Sequence, residues 1–345
     1  MKACVLEGID KLVCKDVPTP VPAEGEVLVR IKASGICSSD YSRVKKTGTY
    51  HFPTIPGHEF AGEIASVGKN VDESLIGRRV VVFPLLPCGE CSSCAQEYWA
   101  QCKNYNYFGS RCDGGFAEYL AAPIWNIKTF SNDIPFSVAA LTEPAAVAWH
   151  AVSISGVKSG DTVCISGTGT IAILCGLWAK EQGASQVFLT CRNQKKKEFI
   201  ENCFGLKILS LGEDIEQSLK AQTAGEGADI VLECVGSNNS LENSLKLVKQ
   251  KGTLVLVGNP DGDMHLSKQL YWKILRSELV LKGAWNSIWR GTSCDWEQVL
   301  QRFESLHPQL SSLITHTYPL EDCTTAFDEL TSSGTFSIKG MFINE

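Results

Sequence analysis

Residues 161–172 read DTVCISGTGTIA, a short apolar run that turns through Gly167-x-Gly169-x-x-Ala172 into a stretch of helical length. In such a turn the first glycine permits the sharp bend and the second lets the backbone approach a pyrophosphate. The N–H groups of the helix that follows face its charge. Ala172 takes the place of a third glycine and only slightly thickens the contact between helix and strand. Downstream, QVFLTC (186–191), ADIVLECVG (228–236), GTLVLVG (252–258) and ELVLKG (278–283) repeat the compact apolar run. Between them lie stretches of helical length such as Lys195 to Phe204 and Ser240 to Lys251. Buried parallel strands alternating with crossover helices give this rhythm, so residues 150–285 are expected to form a doubly wound α/β sheet that binds a dinucleotide.

The strand QVFLTC bears on the cofactor. A unit of this kind that takes NAD carries an Asp or Glu about twenty residues past the glycines, on the ribose 2′-hydroxyl. Here that position is Cys191, and Arg192, Lys195, Lys196 and Lys197 follow. A neutral residue beside an arginine accepts a 2′-phosphate that a carboxylate would repel, so NADP is expected over NAD. The plainer alternative is a solvated basic start to the next helix, with NAD as the cofactor.

Before residue 150 the pattern changes. VLVRIKA (27–33), EFAGEIASVG (59–68) and RRVVVFP (78–84) are β-branched runs bounded by Gly, Pro or Asp, as the strands of a barrel-like unit would be. IKGMFI (338–343) reads as one more strand, so residues 286–345 are expected to rejoin residues 1–149 in one domain. Of the 345 residues 44% are hydrophobic and 20% charged, and Lys plus Arg against Asp plus Glu gives 32 − 38 = −6. That balance excludes a disordered or fibrous chain, and without a basic block the chain is not a general nucleic-acid binder. Glu7 and Asp10 interrupt any signal-peptide run, and the longest apolar stretch, 163–179, is broken by Ser166, Thr168, Thr170 and glycines. A cytoplasmic protein with no membrane partner is expected. The fifteen cysteines, an odd number, cannot all pair within the chain, so some thiols need another use.

Four of them, Cys88, Cys91, Cys94 and Cys102, stand as C-x2-C-x2-C-x7-C in PCGECSSCAQEYWAQC. Four thiolates so spaced can close a tetrahedral zinc shell, with Gly89 and Ser92 in its tight turns. A closed shell leaves no position for substrate, so this zinc is read as structural. An iron–sulfur motif would continue x3-C-P, which this sequence does not; unligated thiols are the remaining reading. Outside the cluster, Cys37, His58, Glu59 and Glu143 supply the sulfur, nitrogen and oxygen donors of a metal with an open position. Singly, each such residue is more often packed or solvated than a ligand.

GICSSD (35–40), GHEFAGEIASVG (57–68), the four-Cys lobe, DGGFAEY (113–119), EPAAVAWHA (143–151) and GTGTIA (167–172) together resemble the zinc-dependent medium-chain dehydrogenases over essentially the whole chain. The resemblance implies a GroES-like catalytic domain with a structural zinc lobe, a Rossmann domain, and a homodimer or homotetramer. It implies a catalytic zinc on Cys37 and His58, with either Glu59 or Glu143 on the metal and the other orienting a water. It further implies that Gly167, Gly169, Thr170, Ile171, Cys191, Arg192 and Val235 meet NAD(P). PLLPCGEC (84–91), YFGSR (107–111) and DGGFAEY look most like the galactitol-1-phosphate 5-dehydrogenases and sorbitol dehydrogenases. An acid at 143 also fits polyol enzymes better than simple alcohol dehydrogenases.

The reaction so implied is oxidation of a secondary hydroxyl of a sugar alcohol, or of its phosphate, to a ketone. Zinc polarises the hydroxyl and NAD(P) takes the hydride. Ser39 is either the first hydroxyl of a proton path or a residue that caps its loop. Arg43, with Lys46 close by, is either a phosphate clamp or a surface cation. Trp285 and Asn286 are placed at the substrate by resemblance. Oxidation of free polyols and amino-alcohol oxidation of the threonine dehydrogenase type are the alternatives within the family. A nucleotide-binding zinc protein without turnover would have lost Cys37, His58 or the acids. A zinc-independent reductase would lack the four-Cys lobe.

Overall fold

Thr162–Ser166 is buried along its whole length inside a six-stranded sheet. Across that sheet the strands run Lys207–Ser210, Gln186–Cys191, Thr162–Ser166, Ala228–Glu233, Val248–Leu256 and Val280–Gly283, all in parallel pairs. Numbered along the chain this order is 3-2-1-4-5-6. It reverses between Thr162–Ser166 and Ala228–Glu233, the place where a doubly wound sheet binds its ligand. The computed structural model describes residues 1–211, 214–289, 294–332 and 334–344. The chain forms two compact units, Met1–Glu143 with Ile288–Glu345, and Pro144–Ser287.

Local chemistry sets the helix ends in the second unit. The Asn193 side chain accepts the N–H of Lys196 to start the helix Gln194–Phe204, and Gly205 ends it at φ 59°. The stretch expected as one helix over 240–251 is divided. Its helix is Asn238–Leu247, capped by Ser237, and Val248 opens the strand Val248–Leu256. The β-branched Val248 pairs with Ala228 in the ladder, and Lys251 takes the left-handed region at φ 58°. Tertiary pairing thus overrides the helical preference of the KQK run.

In the first unit the long strand Glu26–Ile36 pairs with Lys339–Ile343 on one side and Glu59–Val67 on the other, both antiparallel. The seven-stranded sheet continues through Arg79–Val82 and Ile127–Thr129, with Ile314–Tyr318 at its other end and Tyr119–Pro123 also paired to Glu26–Ile36. One apolar cluster gathers Val27, Val29, Ile31, Phe60 and Val80; another gathers Cys4, Leu6, Ile36, Phe116, Phe327 and Phe342. Phe116 meets Phe342 and Phe327 edge to face at 4.9 and 6.1 Å, each pair adding about 0.5–1.5 kcal/mol beyond burial. Among the described residues no helix is long and apolar enough to cross a membrane.

Candidate functional site

Strand pairing gathers donors that are far apart in sequence. Gly35 pairs with Glu59 and Gly340 with Ile36, so Cys37, His58, Glu59 and Lys339 come to neighbouring strand ends. Donor atoms of Cys37, His58 and Glu59 all lie within 4.8 Å of one another. His58 and Glu59 are buried. A Cβ at Gly35 would collide with Glu59 Oε2, so the carboxylate occupies the space a side chain there would need. Lys339 Nζ donates to both Glu59 oxygens, at 2.6 and 2.9 Å, and to the Ile36 carbonyl at 3.3 Å. Burial opposes the Lys339 charge, yet Glu59 and Cys37 hold the ammonium above the usual lysine value. Lys339 was missed in the sequence, where its signal is a single cation inside an apolar terminal strand.

Cys37 precedes the short helix Ser38–Ser42, and its N–H donates to Asp40 Oδ2 at 3.1 Å. Asp40, also missed, is fully buried. Its Oδ1 accepts from Arg43 Nη1 at 3.0 Å and lies 3.5 Å from His58 Nδ1, an ion-pair distance without a formed hydrogen bond. Burial works against the Asp40 charge, but His58, Arg43 and the Cys37 N–H hold it below the ordinary carboxylate range. Ser39 Oγ donates to Cys37 Sγ at 3.2 Å and accepts from Arg43 Nη1 at 2.9 Å. Arg43 is thus tied to the cluster through two side chains, whereas Lys46 is exposed on the following turn. Glu143, in the first turn of Thr142–Ser155, accepts from the Tyr107 hydroxyl at 3.2 Å and stands outside the three-donor set. Burial pushes its carboxyl up to about 7, opposed by the charge of His58 and helped by that of Glu59.

The other cluster is Cys88, Cys91, Cys94 and Cys102. The sulfurs of Cys88–Cys102 and Cys91–Cys94 are 3.5 Å apart, and those of Cys88–Cys94 and Cys91–Cys102 are 3.9 Å apart. A zinc–sulfur bond of about 2.3 Å gives a tetrahedron with an edge of about 3.8 Å, so these four thiols fit a closed zinc shell. N–H groups of Lys103 and Cys94 bring the Cys91 thiol down to about 6, which favours the thiolate a metal needs. The Cys37, His58 and Glu59 donors likewise fit zinc in chemistry, one each of sulfur, nitrogen and oxygen.

At the glycine turn, Gly167 has φ 111°, and a Cβ there would come within 3.0 Å of Val235 Cγ2. Gly169 caps the helix Thr170–Glu181, and a Cβ added to it would meet nothing within 4 Å. That open space above a helix N-terminus suits a pyrophosphate. Thr170 is buried and Ile171 half-buried in the first turn. Val235 is 49% exposed beside Gly167, and its loop is held by Glu233, whose buried carboxylate accepts the N–H groups of Val235 and Gly236 at 2.8 and 3.0 Å. Glu233 was not singled out in the sequence; a carboxylate ending an apolar strand is its only signal. Cys191 is buried with its thiol on the Asn193 carbonyl, and Arg192 is exposed. Trp285 is exposed, and Asn286, at φ 59°, turns its amide oxygen onto the N–H of Ser287.

Residues 23–131 match the family model of the alcohol dehydrogenase GroES-like domain, and residues 167–305 match that of the zinc-binding dehydrogenases. Over 322 residues, 92% of each chain, the sequence is 31% identical to galactitol 1-phosphate 5-dehydrogenase of Escherichia coli. It is also 31% identical to L-threonine 3-dehydrogenase of Symbiobacterium thermophilum, over 93% of this chain and 91% of that one. Among solved structures, galactitol-1-phosphate dehydrogenase of Escherichia coli superposes with a TM-score of 0.92 at 30% identity over the whole of both chains. A zinc-binding dehydrogenase of Sinorhizobium meliloti bound to NADP superposes with a TM-score of 0.88 at 26% identity over 99% of each. A GroES-like unit joined to a dinucleotide-type sheet with zinc-fitting clusters defines an oxidoreductase. The chain belongs to the zinc-dependent medium-chain dehydrogenase/reductase family.

Proposed function

We propose that the protein oxidises a secondary hydroxyl of a phosphorylated sugar alcohol to the ketone, passing hydride to NADP. The observation that carries this reading is the Cys37, His58 and Glu59 cluster with a guanidinium two hydrogen bonds from the Cys37 sulfur. Zinc held by Cys37, His58 and Glu59 would act as a Lewis acid on the substrate oxygen, and NADP at the Gly167 to Ala172 turn would take the hydride.

The remaining roles fall to side chains. Asp40 orients His58 and steadies the Cys37 N–H, and Lys339 balances the charge of Glu59. Glu143, held by Tyr107, orients water beside the metal donors. Ser39 supports Cys37; a proton would pass through its hydroxyl only after that hydroxyl turns from the sulfur. Arg43 offers its remaining N–H groups to the phosphate, since its Nη1 is committed to Ser39 and Asp40. NADP rests on the absence of a carboxylate at Cys191 and on the neighbouring Arg192, joined by the NADP-bound relative. The four-Cys shell is assigned a structural zinc. A cytoplasmic homo-oligomer is part of this reading: on the edge strand Val280–Gly283 and the helix Lys268–Arg276, Val280, Leu281, Tyr271, Trp272 and Leu275 are exposed.

Arg43→Ala tests the substrate assignment. A lost phosphate clamp removes charge-assisted hydrogen bonds worth about 1.5–3 kcal/mol each, so KM for galactitol 1-phosphate should rise at least tenfold while that for galactitol hardly changes. An equal loss on both substrates would mean that Arg43 serves only to hold Asp40 and Ser39. The second reading, oxidation of L-threonine, is favoured by the equal identity to that enzyme.

A further inference from the structure

Strands Lys2–Leu6 and Leu12–Asp16 pair antiparallel, with Cys4 opposite Cys14. Across this pair the N–H of Glu7 bonds the Lys11 carbonyl and that of Val17 the Met1 carbonyl. The N–H groups of Cys4 and Leu6 turn away, to the carbonyls of Phe116 and Thr54. Cys4 and Cys14 therefore occupy a non-hydrogen-bonded site of the ladder, where Cα atoms stand about 4.5 Å apart and facing side chains are nearest. A disulfide spans Cα separations of about 4.4–6.8 Å.

The two thiols differ in setting. Cys4 is fully buried among Leu6, Ile36 and Phe327, and its thiol donates to the Leu320 carbonyl at 3.3 Å. Cys323, the first residue of the helix Cys323–Thr331, belongs to the same apolar cluster. Cys14 lies half-buried at the rim of the same cluster, open to small solutes. The adjoining Cys4 thiol brings the Cys14 thiol down to about 7; burial, Glu321 and Asp16 oppose this and Lys2 assists it. A thiolate at the rim with a buried thiol against it is the pairing of a reactive cysteine and its resolving partner.

We propose that Cys14 and Cys4 form a reversible disulfide when the protein meets a hydroperoxide, a modification separate from the dehydrogenase chemistry. The Cys14 thiolate attacks one peroxide oxygen; an S–O bond forms, the O–O bond breaks, and the other oxygen leaves as hydroxide. The Cys4 sulfur then attacks the sulfur of the sulfenic acid. The S–S bond forms as the S–O bond breaks, and the departing hydroxyl leaves as water with the proton from Cys4. In all, two thiols lose two electrons and two protons, and hydrogen peroxide becomes two waters.

Zinc-replete wild-type protein is treated with hydrogen peroxide, alkylated, digested with trypsin without reduction and mapped by mass spectrometry. Cleavage after Lys2, Lys11 and Lys15 puts Cys4 in peptide 3–11 and Cys14 in 12–15; cleavage after Arg302 and Lys339 puts Cys323 in 303–339. The expected product is a 3–11/12–15 pair that dithiothreitol dissolves, and in Cys4→Ser a dimedone adduct on Cys14. In untreated protein iodoacetamide should label Cys14 at least tenfold faster than Cys4. Free Cys4 and Cys14 after peroxide, or a link from 3–11 to 303–339 in place of the expected one, overturns the proposal. The wild-type digest decides even where the variant does not fold.

Discussion

Lys339 and Glu59 are 4% and 1% exposed by side chain, and each is the other's charge partner. Removing one member of a buried pair leaves an uncompensated charge and costs about 3–5 kcal/mol. Lys339→Met should therefore lower unfolding stability in urea by that amount, and adding Glu59→Gln should recover much of it; additive losses would show that the pairing is not what holds them. The residue scale is also where the sequence was least legible. Cys37 and His58 could be named from the motifs that carry them; Asp40 lies three residues from both Cys37 and Arg43, but its approach to His58, like the Lys339–Glu59 pair, is a three-dimensional contact that no local spacing encodes. Lys339 reaches Glu59 only because Gly340 pairs with Ile36 and Gly35 with Glu59, a register set by two ladders. Arg43, by sequence either clamp or surface cation, is bound to Ser39 and Asp40 through Nη1, which leaves its other N–H groups for the phosphate of the proposed substrate.

Among the elements, the parallel strands were the most legible, because burial on both faces writes them as unbroken apolar runs. The helix expected through Lys251 was not, since the ladder partner of Val248 lies twenty residues upstream at Ala228. The glycine turn yields a clean test. Gly169 has φ −80° and ψ 176°, which any residue adopts, so Gly169→Val should fold normally and yet bind no dinucleotide, its side chain filling the space the pyrophosphate needs. Retained NADP affinity in equilibrium titration would remove the turn from the cofactor site. In the cysteine lobe, Cys91→Ser should lose one zinc of two by metal analysis, with stability reduced by about 4 kcal/mol. Cys37→Ser should lose the other zinc and its turnover at nearly native stability. Iron in either site, or full turnover in Cys37→Ser, would contradict the two-zinc account.

For the molecule as a whole, the family is clear from ordered motifs along the chain, while relatives named for galactitol 1-phosphate and for L-threonine are equally identical to it, so the substrate assignment rests on a few side chains. The apolar edge at Tyr271, Trp272, Leu275, Val280 and Leu281 leads us to expect a homo-oligomer by light scattering; Leu281→Lys should shift it toward monomer, and an unchanged mass would move the interface elsewhere. The assigned reaction is tested by kcat/KM of the zinc-replete enzyme for galactitol 1-phosphate, galactitol, sorbitol and L-threonine, each with NAD and with NADP. The phosphate ester with NADP should exceed every other pair at least tenfold, about 1.4 kcal/mol in transition-state stabilisation. A preference for L-threonine, equal values for galactitol and its phosphate, or a tenfold preference for NAD would contradict that assignment.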